Sequence, residues 1–218
     1  GFIVLFLTIV LRNLAKVLLS NSGFNQAITT NHNINDNIIL DFVLVHAGVI
    51  TLSGQVQDAI GNGVPNQRVE LVHGAISKAD ITDANGNYSL QVAPGDYTLN
   101  LHGYGNNDLI NLPFDYTLND INNSSPLSLT QNTTLDLVMP VKKLDVFVQD
   151  PQGNPVENVA IVARSITSYW HASNLIIAGL TGFEGHSEDR TTTNSSGNGT
   201  LWIFPSSSGT NAYTIVAT

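Results

Sequence analysis

The sequence predicts an all-β protein built from consecutive β-sandwiches, and three observations support this. From about Val45 onward, short stretches of alternating apolar and polar residues are separated by Gly, Asn, Asp and Pro, which is the pattern of strands joined by tight turns. Charged residues make up only 11% of the 218 residues, and Asn, Thr, Ser and Gly supply the polar surface, as is typical of β-proteins. Several stretches also recur in the same order, which indicates repeated modules.

Residues 1–30 form a hydrophobic N-terminal segment. Residues 1–11 are continuously apolar and precede Arg12 and Lys16. A membrane-spanning helix needs about 20 apolar residues, so this run is too short to cross a bilayer by itself. We interpret it as the remnant of a signal peptide or an anchor, which predicts membrane attachment through this segment. The alternative is a buried helix of a soluble domain.

A strand–turn–strand unit occurs twice in the sequence. Residues 56–66 and 148–158 both read V-Q-D-x-x-G-N-x-V-x-N, and an apolar alternation follows each copy. In this pattern the Asp caps the turn, the Gly adopts positive φ and the second Val returns the chain to the core. The two stretches therefore predict equivalent turns in two modules.

A second pair of stretches follows in the same order. Residues 82–90 and 193–201 each carry a Gly-Asn turn before a strand, and each is followed by a proline and a Tyr-Thr strand. For the first copy we predict a hairpin turn with Gly86 at positive φ. The shared order defines two predicted domains, a first β-sandwich module at 48–141 and a second at 142–218.

A third recurring pattern, N-x-x-L-D-x-V-(L/M), occupies residues 132–139 and residues 37–44. The first occurrence closes the first module. We therefore predict that residues 31–47 hold the orphan last strand of a preceding module and that the second module lacks its closing strand. Two explanations stay open: the chain is a cut fragment, or the orphan strand of one copy completes the second module of a neighbouring copy through strand pairing.

The alternation along these strands also predicts the core of the first module. We expect its inward-facing residues to be Val56, Val69, Leu71, Leu90, Val92, Leu99, Leu135 and Leu137.

The order of these motifs resembles the carboxypeptidase regulatory-like domain. The resemblance covers residues 49–141 well and residues 142–218 more loosely, because seven residues separate Pro205 from Tyr213 in the second copy. It implies tandem seven-stranded sandwiches of the transthyretin (prealbumin) type that serve as non-catalytic spacers or binding units in secreted and surface proteins. The residues that carry it are Gly54, Val56, Asp58, Gly61, Val64, Val69, Leu71, Thr82, Asp83, Gly86, Tyr88, Leu90, Pro94, Gly95, Tyr97, Thr98 and Leu99.

Composition and spacing exclude several classes of function. The chain has no cysteine, so it has no disulfide, thiolate metal site or cysteine nucleophile. A net charge of −9 with only eight Lys and Arg residues argues against nucleic-acid binding. The six histidines are scattered without the spacing of a zinc hydrolase, and no serine-nucleophile motif is present. We therefore predict no enzymatic activity, no metal site and no cofactor.

One stretch has the spacing of a calcium loop. Asp83, Asn85 and Asn87 follow the D-x-N-x-N pattern, but the twelfth position, where such a loop needs a bidentate acid, is Pro94. A structural turn explains the same residues, and we favour that interpretation over calcium binding.

The most individual feature of the sequence is an insertion in the second module. Between Val162 and Thr193 this module has about 19 residues more than the first, and long loops at sandwich ends commonly carry function. We interpret Tyr169, Trp170 and His171 as a cluster that stacks on a sugar, with Glu184 as a hydrogen-bond acceptor. Glu188 and Asp189 are further candidate acceptors. The alternative is that Tyr169 and Trp170 plug the open edge of their own sandwich.

These observations predict a non-catalytic, extracellular structural or adhesive β-sandwich repeat protein of the cell surface. Its expected partners are glycans or neighbouring copies. The alternative is a carbohydrate-binding or spacer module of a secreted enzyme whose catalytic part lies elsewhere.

Overall fold

The structure is a computed structural model that describes residues 9–10, 14–15, 48–106, 110–120, 126–165, 170–172, 175–205 and 213–218. At positions 9–10, 14–15, 120, 170–172 and 184 only the backbone is described. These residues form strands and turns without a helix, which confirms the prediction of an all-β fold. The strands are β1 (Ile9–Val10), β2 (Leu14–Ala15), β3 (Ile50–Gln57), β4 (Arg68–His73), β5 (Ile76–Ile81), β6 (Asn87–Val92), β7 (Gly95–Tyr104), β8 (Asp115–Asp120), β9 (Leu127–Leu129), β10 (Thr133–Thr134), β11 (Leu137–Val138), β12 (Lys142–Phe147), β13 (Ala160–Ser165), β14 (Trp170–Ala172), β15 (Phe183–Thr192), β16 (Asn198–Ile203) and β17 (Tyr213–Ala217).

The chain divides into two compact units, Gly1–Val49 and Ile50–Thr218. In the first unit, the short strands β1 and β2 pair antiparallel. No helix long and apolar enough to cross a membrane occurs in the part of the chain that the structure describes. The predicted orphan strand and most of the predicted N-terminal anchor lie outside the described residues.

The described residues of the second unit form three sheets. The largest has nine strands, with β17-β13-β15-β8-β7-β4-β5 in order, β14 paired to β15 and β9 paired to β7. A four-stranded sheet is centred on β3, which pairs antiparallel with β6 and parallel with β10 and β11. The third sheet consists of β12 and β16. We refer to residues 50–141 as the first half of this unit and to residues 142–218 as the second half.

The first half encloses most of the core. Seven of the eight residues that alternation predicted to face inward are buried. The exception is Leu135, which is only partly buried. Leu135 lies between β10 and β11, and its N–H donates to the Ser53 carbonyl at 2.8 Å. Its backbone therefore bonds to β3, while its side chain is not completely buried.

The two loops around Thr82 and Thr193, which recur in the sequence, also have the same hydrogen bonds in the structure. Thr82 and Thr193 each donate through the hydroxyl to a carbonyl, that of Val64 at 2.7 Å and that of Val156 at 2.8 Å. Each hydroxyl also accepts from a backbone N–H of the opposite loop. The preceding loops both hold an Asn at positive φ, with 60° at Asn66 and 62° at Asn158. Local sequence therefore specifies this unit twice.

The two halves share the nine-stranded sheet. β8 of the first half pairs antiparallel with β15 of the second half over six residue pairs, from Phe183↔Asp120 to Glu188↔Asp115. We call this pairing the seam. The sheet thus crosses the predicted boundary at residue 141, and the division into modules at 48–141 and 142–218 stays a prediction.

Candidate functional site

The insertion of the second half is the candidate site, and it lies at the seam. In the first half a tight turn at Gly74, with φ of 59°, joins β4 directly to β5. In the second half the equivalent connection contains β14 and the chain up to Phe183. The insertion also lengthens β15 at its N-terminal end, and this added length pairs with β8.

The apolar run of the insertion is buried in the core of the first half. Ile177 and Leu180 exchange two backbone hydrogen bonds, at 3.1 and 2.9 Å, across a turn in which Ala178 and Gly179 both have positive φ. This compact turn places a set of apolar side chains against the first-half core, and they are Leu175, Ile177, Leu180 and Phe183. The run therefore fastens the second half to the first.

Three of the four residues predicted to bind a ligand lie on β14 and β15, where the structure describes their backbone. Tyr169 lies outside the described residues. Trp170 pairs with Gly185, and His171 pairs with Glu184. Because consecutive residues of a strand belong to opposite faces of a sheet, positions 170 and 171 lie on opposite faces. The backbone brings together His171 and Glu184, whereas their role in binding stays a prediction.

Glu184 belongs to a row of polar residues that runs across neighbouring strands of the sheet. Glu184 is in register with Asn119, Asn119 with Asn100, and Asn100 with Glu70. The neighbouring row contains His186, Thr117 and His102. We call these two rows the outer polar face, and they contain residues from both halves. The sequence analysis missed this face because it depends on the register of strands far apart in the chain.

Charges on the outer polar face are partly shielded from water. Burial alone would raise the pKa of Glu70, but hydrogen bonds from Ser77, Arg68 and Asn100 outweigh it, so its pKa is lowered. Burial lowers the pKa of His102, whose Nε2 lies 3.7 Å from Glu70 Oε2. An anionic Glu70 and a neutral His102 give this face both hydrogen-bond acceptors and donors at neutral pH.

Two acidic residues beside this face bind other parts of the protein. Glu188 pairs with Arg164 at 2.5 Å. Asp189 is buried, and its two carboxylate oxygens accept from the backbone N–H groups of Phe114 at 2.9 Å and Trp202 at 2.5 Å. Asp189 therefore joins the two halves. This contact explains its position better than the role of ligand acceptor that the sequence suggested.

The calcium-like stretch is one of four turns with the same hydrogen bonds. In the Asp83 turn, Oδ1 accepts from the N–H groups of Asn85 and Asn87, both at 2.8 Å, and Oδ2 accepts from Asn87 Nδ2 at 3.1 Å. Gly86 has φ of 82°, as predicted. The turn joins β5 to β6, which lie in different sheets, so the expectation of a hairpin was wrong. The other three turns begin at Asp58, Asp150 and Asn194.

These four turns share the sequence [D/N]-x-x-G-N, a signal that could have been found from the sequence. Each first residue accepts hydrogen bonds from the residues two and four positions later. In the described part of the chain, no group of three or more His, Asp or Glu side chains is placed to hold a metal ion.

Comparisons with known proteins give little beyond the first half. None of the curated proteins matches the chain. Among solved structures, the Bacillus anthracis TIE protein matches with 13% identity and a TM-score of 0.29, over 94% of this chain and 35% of that one. The chain thus spans about a third of that protein. A Streptococcal ancillary pilin matches with 13% identity and a TM-score of 0.28, over 93% of this chain and 70% of that one. Scores this low carry no inference about fold or function.

The family comparison concerns β3 to β7, the strands that carry the motifs quoted from the sequence. Residues 51–110 match the model of the carboxypeptidase regulatory-like domain, and over these residues the resemblance predicted from the sequence is confirmed.

Proposed function

We propose that this protein is a non-catalytic structural element of the cell surface or the extracellular space, in which the two halves act as one rigid spacer. The observation that supports this most is the seam. One sheet runs through both halves, and the apolar run of the insertion is buried in the core of the first half. A domain that serves as a spacer must resist bending at its junctions, and a shared sheet with a shared core does so.

The connection between the halves supports the same proposal. Only Met139, Pro140 and Val141 separate β11 from β12. Met139 and Val141 are buried, and the Val141 N–H donates to the Met139 carbonyl at 2.9 Å. Flexible linkers between domains are normally exposed and make few contacts. This connection has the opposite properties, so it favours a fixed orientation of the two halves.

A test of the rigid spacer measures whether the halves unfold together. Both tryptophans lie in the second half, so tryptophan fluorescence follows the unfolding of that half, whereas far-UV circular dichroism follows the strands of both. If the halves unfold together, the two signals should give coincident transitions in urea. Phe183→Ala, which removes a buried seam side chain, should separate the transitions. Phe147→Ala, at a residue 55% exposed, is the matched control and should leave them coincident. Separate transitions in the unmodified protein would contradict the proposal.

The cellular part of the proposal has its own test. Antibodies raised against the folded protein should label intact, unpermeabilised cells or appear in the culture medium. Labelling that requires permeabilisation would place the protein inside the cell and exclude a surface role.

A second candidate function is carbohydrate binding at the outer polar face. The register of His171, Glu184 and Asn119 supports it, because it places a histidine, a glutamate and an asparagine in one row across the sheet. Such side chains supply the hydrogen-bond donors and acceptors that sugar hydroxyls require. In this form the protein is a binding or spacer module of a secreted enzyme.

A glycan array distinguishes this candidate from the spacer. If the outer polar face binds sugar, Glu184→Gln and Asn119→Ala should each weaken binding, while Glu157→Gln, at an exposed loop position of the same half, should not. Trp170→Ala tests the sugar-stacking cluster predicted from the sequence, because position 170 lies on the face of the sheet opposite to Glu184. Loss of binding only with Trp170→Ala would exclude the outer polar face, and the absence of any glycan binding would leave the spacer.

A further inference from the structure

Asn198 differs from the three residues that hold the same position in the other [D/N]-x-x-G-N turns. In those turns Nδ2 of the last Asn donates to Oδ2 of the first residue, at 3.0 Å for Asn62, 3.1 Å for Asn87 and 2.9 Å for Asn154. The fourth turn begins with Asn194, so an amide nitrogen, which only donates, replaces that carboxylate oxygen. Asn198 therefore lacks the acceptor that fixes its equivalents.

The side chain of Asn198 is exposed, and it makes no hydrogen bond within the described residues. Its main chain is nevertheless fixed. The Asn198 N–H donates to Asn194 Oδ1 at 3.1 Å, and the Asn198 carbonyl accepts from the Asn194 N–H at 2.9 Å. The turn therefore presents an unbonded amide group to solvent on a backbone that is held in place.

The residues from 198 to 200 read Asn-Gly-Thr, which is the N-x-(S/T) pattern of asparagines that receive an N-linked sugar in secreted proteins. Six asparagines of the chain have this pattern, and those at 122 and 123 lie outside the described residues. Asn87 donates to a carboxylate, whereas Asn132 and Asn194 accept from main-chain N–H groups. Among the described residues, only Asn198 combines the pattern with an unbonded side chain.

The strand beside Asn198 contributes an exposed aromatic ring. Phe147 is the register partner of Asn198 in the ladder between β12 and β16, and directly opposite residues lie on the same face with Cβ atoms about 5 Å apart. Phe147 is 55% exposed, and its ring lies over the turn, because a Cβ on Gly197 would approach Phe147 Cε2 to 3.1 Å. The equivalent residue of the first half, Gln55, instead donates to the Asn85 carbonyl at 2.6 Å.

We propose that Asn198 is an N-glycosylation site and that the first sugar residue packs on the exposed ring of Phe147. The inference rests on the extracellular location proposed above, because the sugar donor is a lipid-linked sugar phosphate that an exported chain meets at the membrane. In the transfer, Asn198 Nδ2 bonds to the anomeric carbon of the sugar and loses a proton to a base of the transferase. The bond from that carbon to the phosphate oxygen breaks, and the lipid phosphate leaves.

The position of the turn is compatible with a bulky sugar. β15 pairs with β8 through residues 183–188 at its beginning, whereas the Asn194 turn follows its last residue, Thr192. The sugar would therefore lie at the end of β15 that is away from the seam. It would cover an apolar ring that is otherwise in water, so we expect it to stabilise the second half.

The first test locates the sugar in protein purified from the cells that produce it. In peptide mass spectrometry, the peptide that trypsin releases after Arg190 should carry the mass of a sugar. Asn198→Gln and Thr200→Ala each destroy the pattern and should abolish this mass, whereas Thr200→Ser keeps the pattern and should retain it. Asn87→Gln, at the equivalent position of the first half, is the matched control and should leave the mass unchanged.

The second test measures the contact with Phe147 by a double-mutant cycle on the melting temperature. Asn198→Gln, which lacks the sugar, should melt at a lower temperature than the unmodified protein. In the Phe147→Ala background the same substitution should lower the melting temperature less, because the ring that the sugar covers is absent. The four proteins produced in a host without N-glycosylation are the control and should show no such coupling. Circular dichroism checks that each is folded.

Four results would overturn the proposal. An unmodified Asn198 in protein that antibodies detect on intact cells would exclude glycosylation and leave the surface role standing. An unmodified Asn198 in protein found only inside the cell would remove both. A sugar mass that persists in Asn198→Gln would place the sugar on another residue, such as Asn194. Equal effects of Asn198→Gln with and without the Phe147 ring would exclude the contact between ring and sugar.

Discussion

The two halves of the folded unit contain the same turns but different cores. The four [D/N]-x-x-G-N turns have nearly identical hydrogen bonds in both halves. The same is true of the two loops whose backbone N–H groups bond to the Thr82 and Thr193 hydroxyls. Leu52 of the first half is fully buried, whereas its equivalent Leu144 is only partly buried. Turns depend on residues close in sequence, whereas burial depends on which strands arrive from elsewhere. The same local code can therefore accompany a fully buried core position or a partly buried one.

The second half compensates for its small core at the seam. Phe183 and Phe204 belong to the core of the first half, and the Phe204 ring packs edge-on against Tyr116 with ring centres 5.4 Å apart. Edge-to-face contacts of this kind add about 0.5–1.5 kcal/mol beyond the area that they bury. The second half thus contributes two aromatic side chains to the core of its neighbour.

The largest expected effect separates the two cores directly. Leu71→Ala should reduce the free energy of unfolding by about 2–5 kcal/mol, because Leu71 is fully buried and truncation leaves a cavity. Leu144→Ala, at a partly buried position, should cost about 1 kcal/mol, since less of its surface leaves water on folding. Urea denaturation measures both. A loss below about 0.5 kcal/mol for Leu71→Ala would show that its strand register is wrong.

A smaller effect is expected where the closing strand approaches β3. A Cβ at Gly54 would lie 1.9 Å from the Leu135 carbonyl oxygen, so Gly54→Ala must displace the closing strand. We expect a cost of about 1–3 kcal/mol, the range for overpacked sites. Gly48→Ala is the matched control, because a Cβ there meets no atom within 4 Å. Equal stability of the two variants would mean that the closing strand does not contact Gly54.

The comparison of the halves also explains what the sequence could and could not predict. The turns around Gly61 and Gly153, with φ of 90° and 88°, follow from residues at fixed short spacing. The buried set around Leu71 and Leu99 follows from alternation. Alternation assigns residues to faces, but it does not choose the neighbouring strand. The pairing of β8 with β15, and with it the outer polar face, therefore could not be deduced from the sequence.

The candidate site shows the same limit. Trp170 and His171 are adjacent in sequence, but adjacent residues of a strand belong to opposite faces, so only position 171 lies in the same row as Glu184. The apolar run after them was recognised as unusual, yet its partner, the first-half core, is far away in the chain. The motif at residues 132–139 was found from its repetition, whereas the role of Asn132 and Asp136 required their hydrogen bonds.

A weaker difference between the halves concerns pH. Hydrogen bonds from the Asn87 side chain and from the N–H groups of Asn87 and Asn85 lower the pKa of Asp83 below its ordinary value of 3.8. The folded-state pKa is thus below that of the unfolded chain, so this carboxylate adds stability above about pH 4, and the contribution disappears as the pH falls through the folded-state pKa. The equivalent residue of the second half, Asn194, does not titrate.

Asp83→Asn should therefore make the free energy of unfolding fall less steeply as the pH drops below about 4. The effect should be small, because Asp83 is exposed and solvent screens its interactions. Urea denaturation at several pH values measures it, and Asn194→Ala is the control that should change stability equally at each pH. An unchanged acid dependence in Asp83→Asn would show that its carboxylate is not held by these hydrogen bonds.

The smallest expected effect is the absence of any response to calcium. Calcium binds six to eight oxygen atoms, but both carboxylate oxygens of Asp83 already accept N–H groups. Those donors direct positive hydrogen atoms at the site where a cation would have to lie. The Asn194 turn makes the same main-chain hydrogen bonds without a charge, so these turns do not need an ion to form.

Millimolar calcium should accordingly leave the melting temperature where a chelator leaves it, in the unmodified protein and in Asp83→Ala alike. Differential scanning calorimetry with calcium, magnesium and chelator makes the comparison, and magnesium controls for general ionic effects. A saturable rise specific to calcium that Asp83→Ala abolishes would show that the turn opens to accept the ion. It would also give the first half a ligand that the Asn194 turn, lacking the carboxylate, could not bind in the same way.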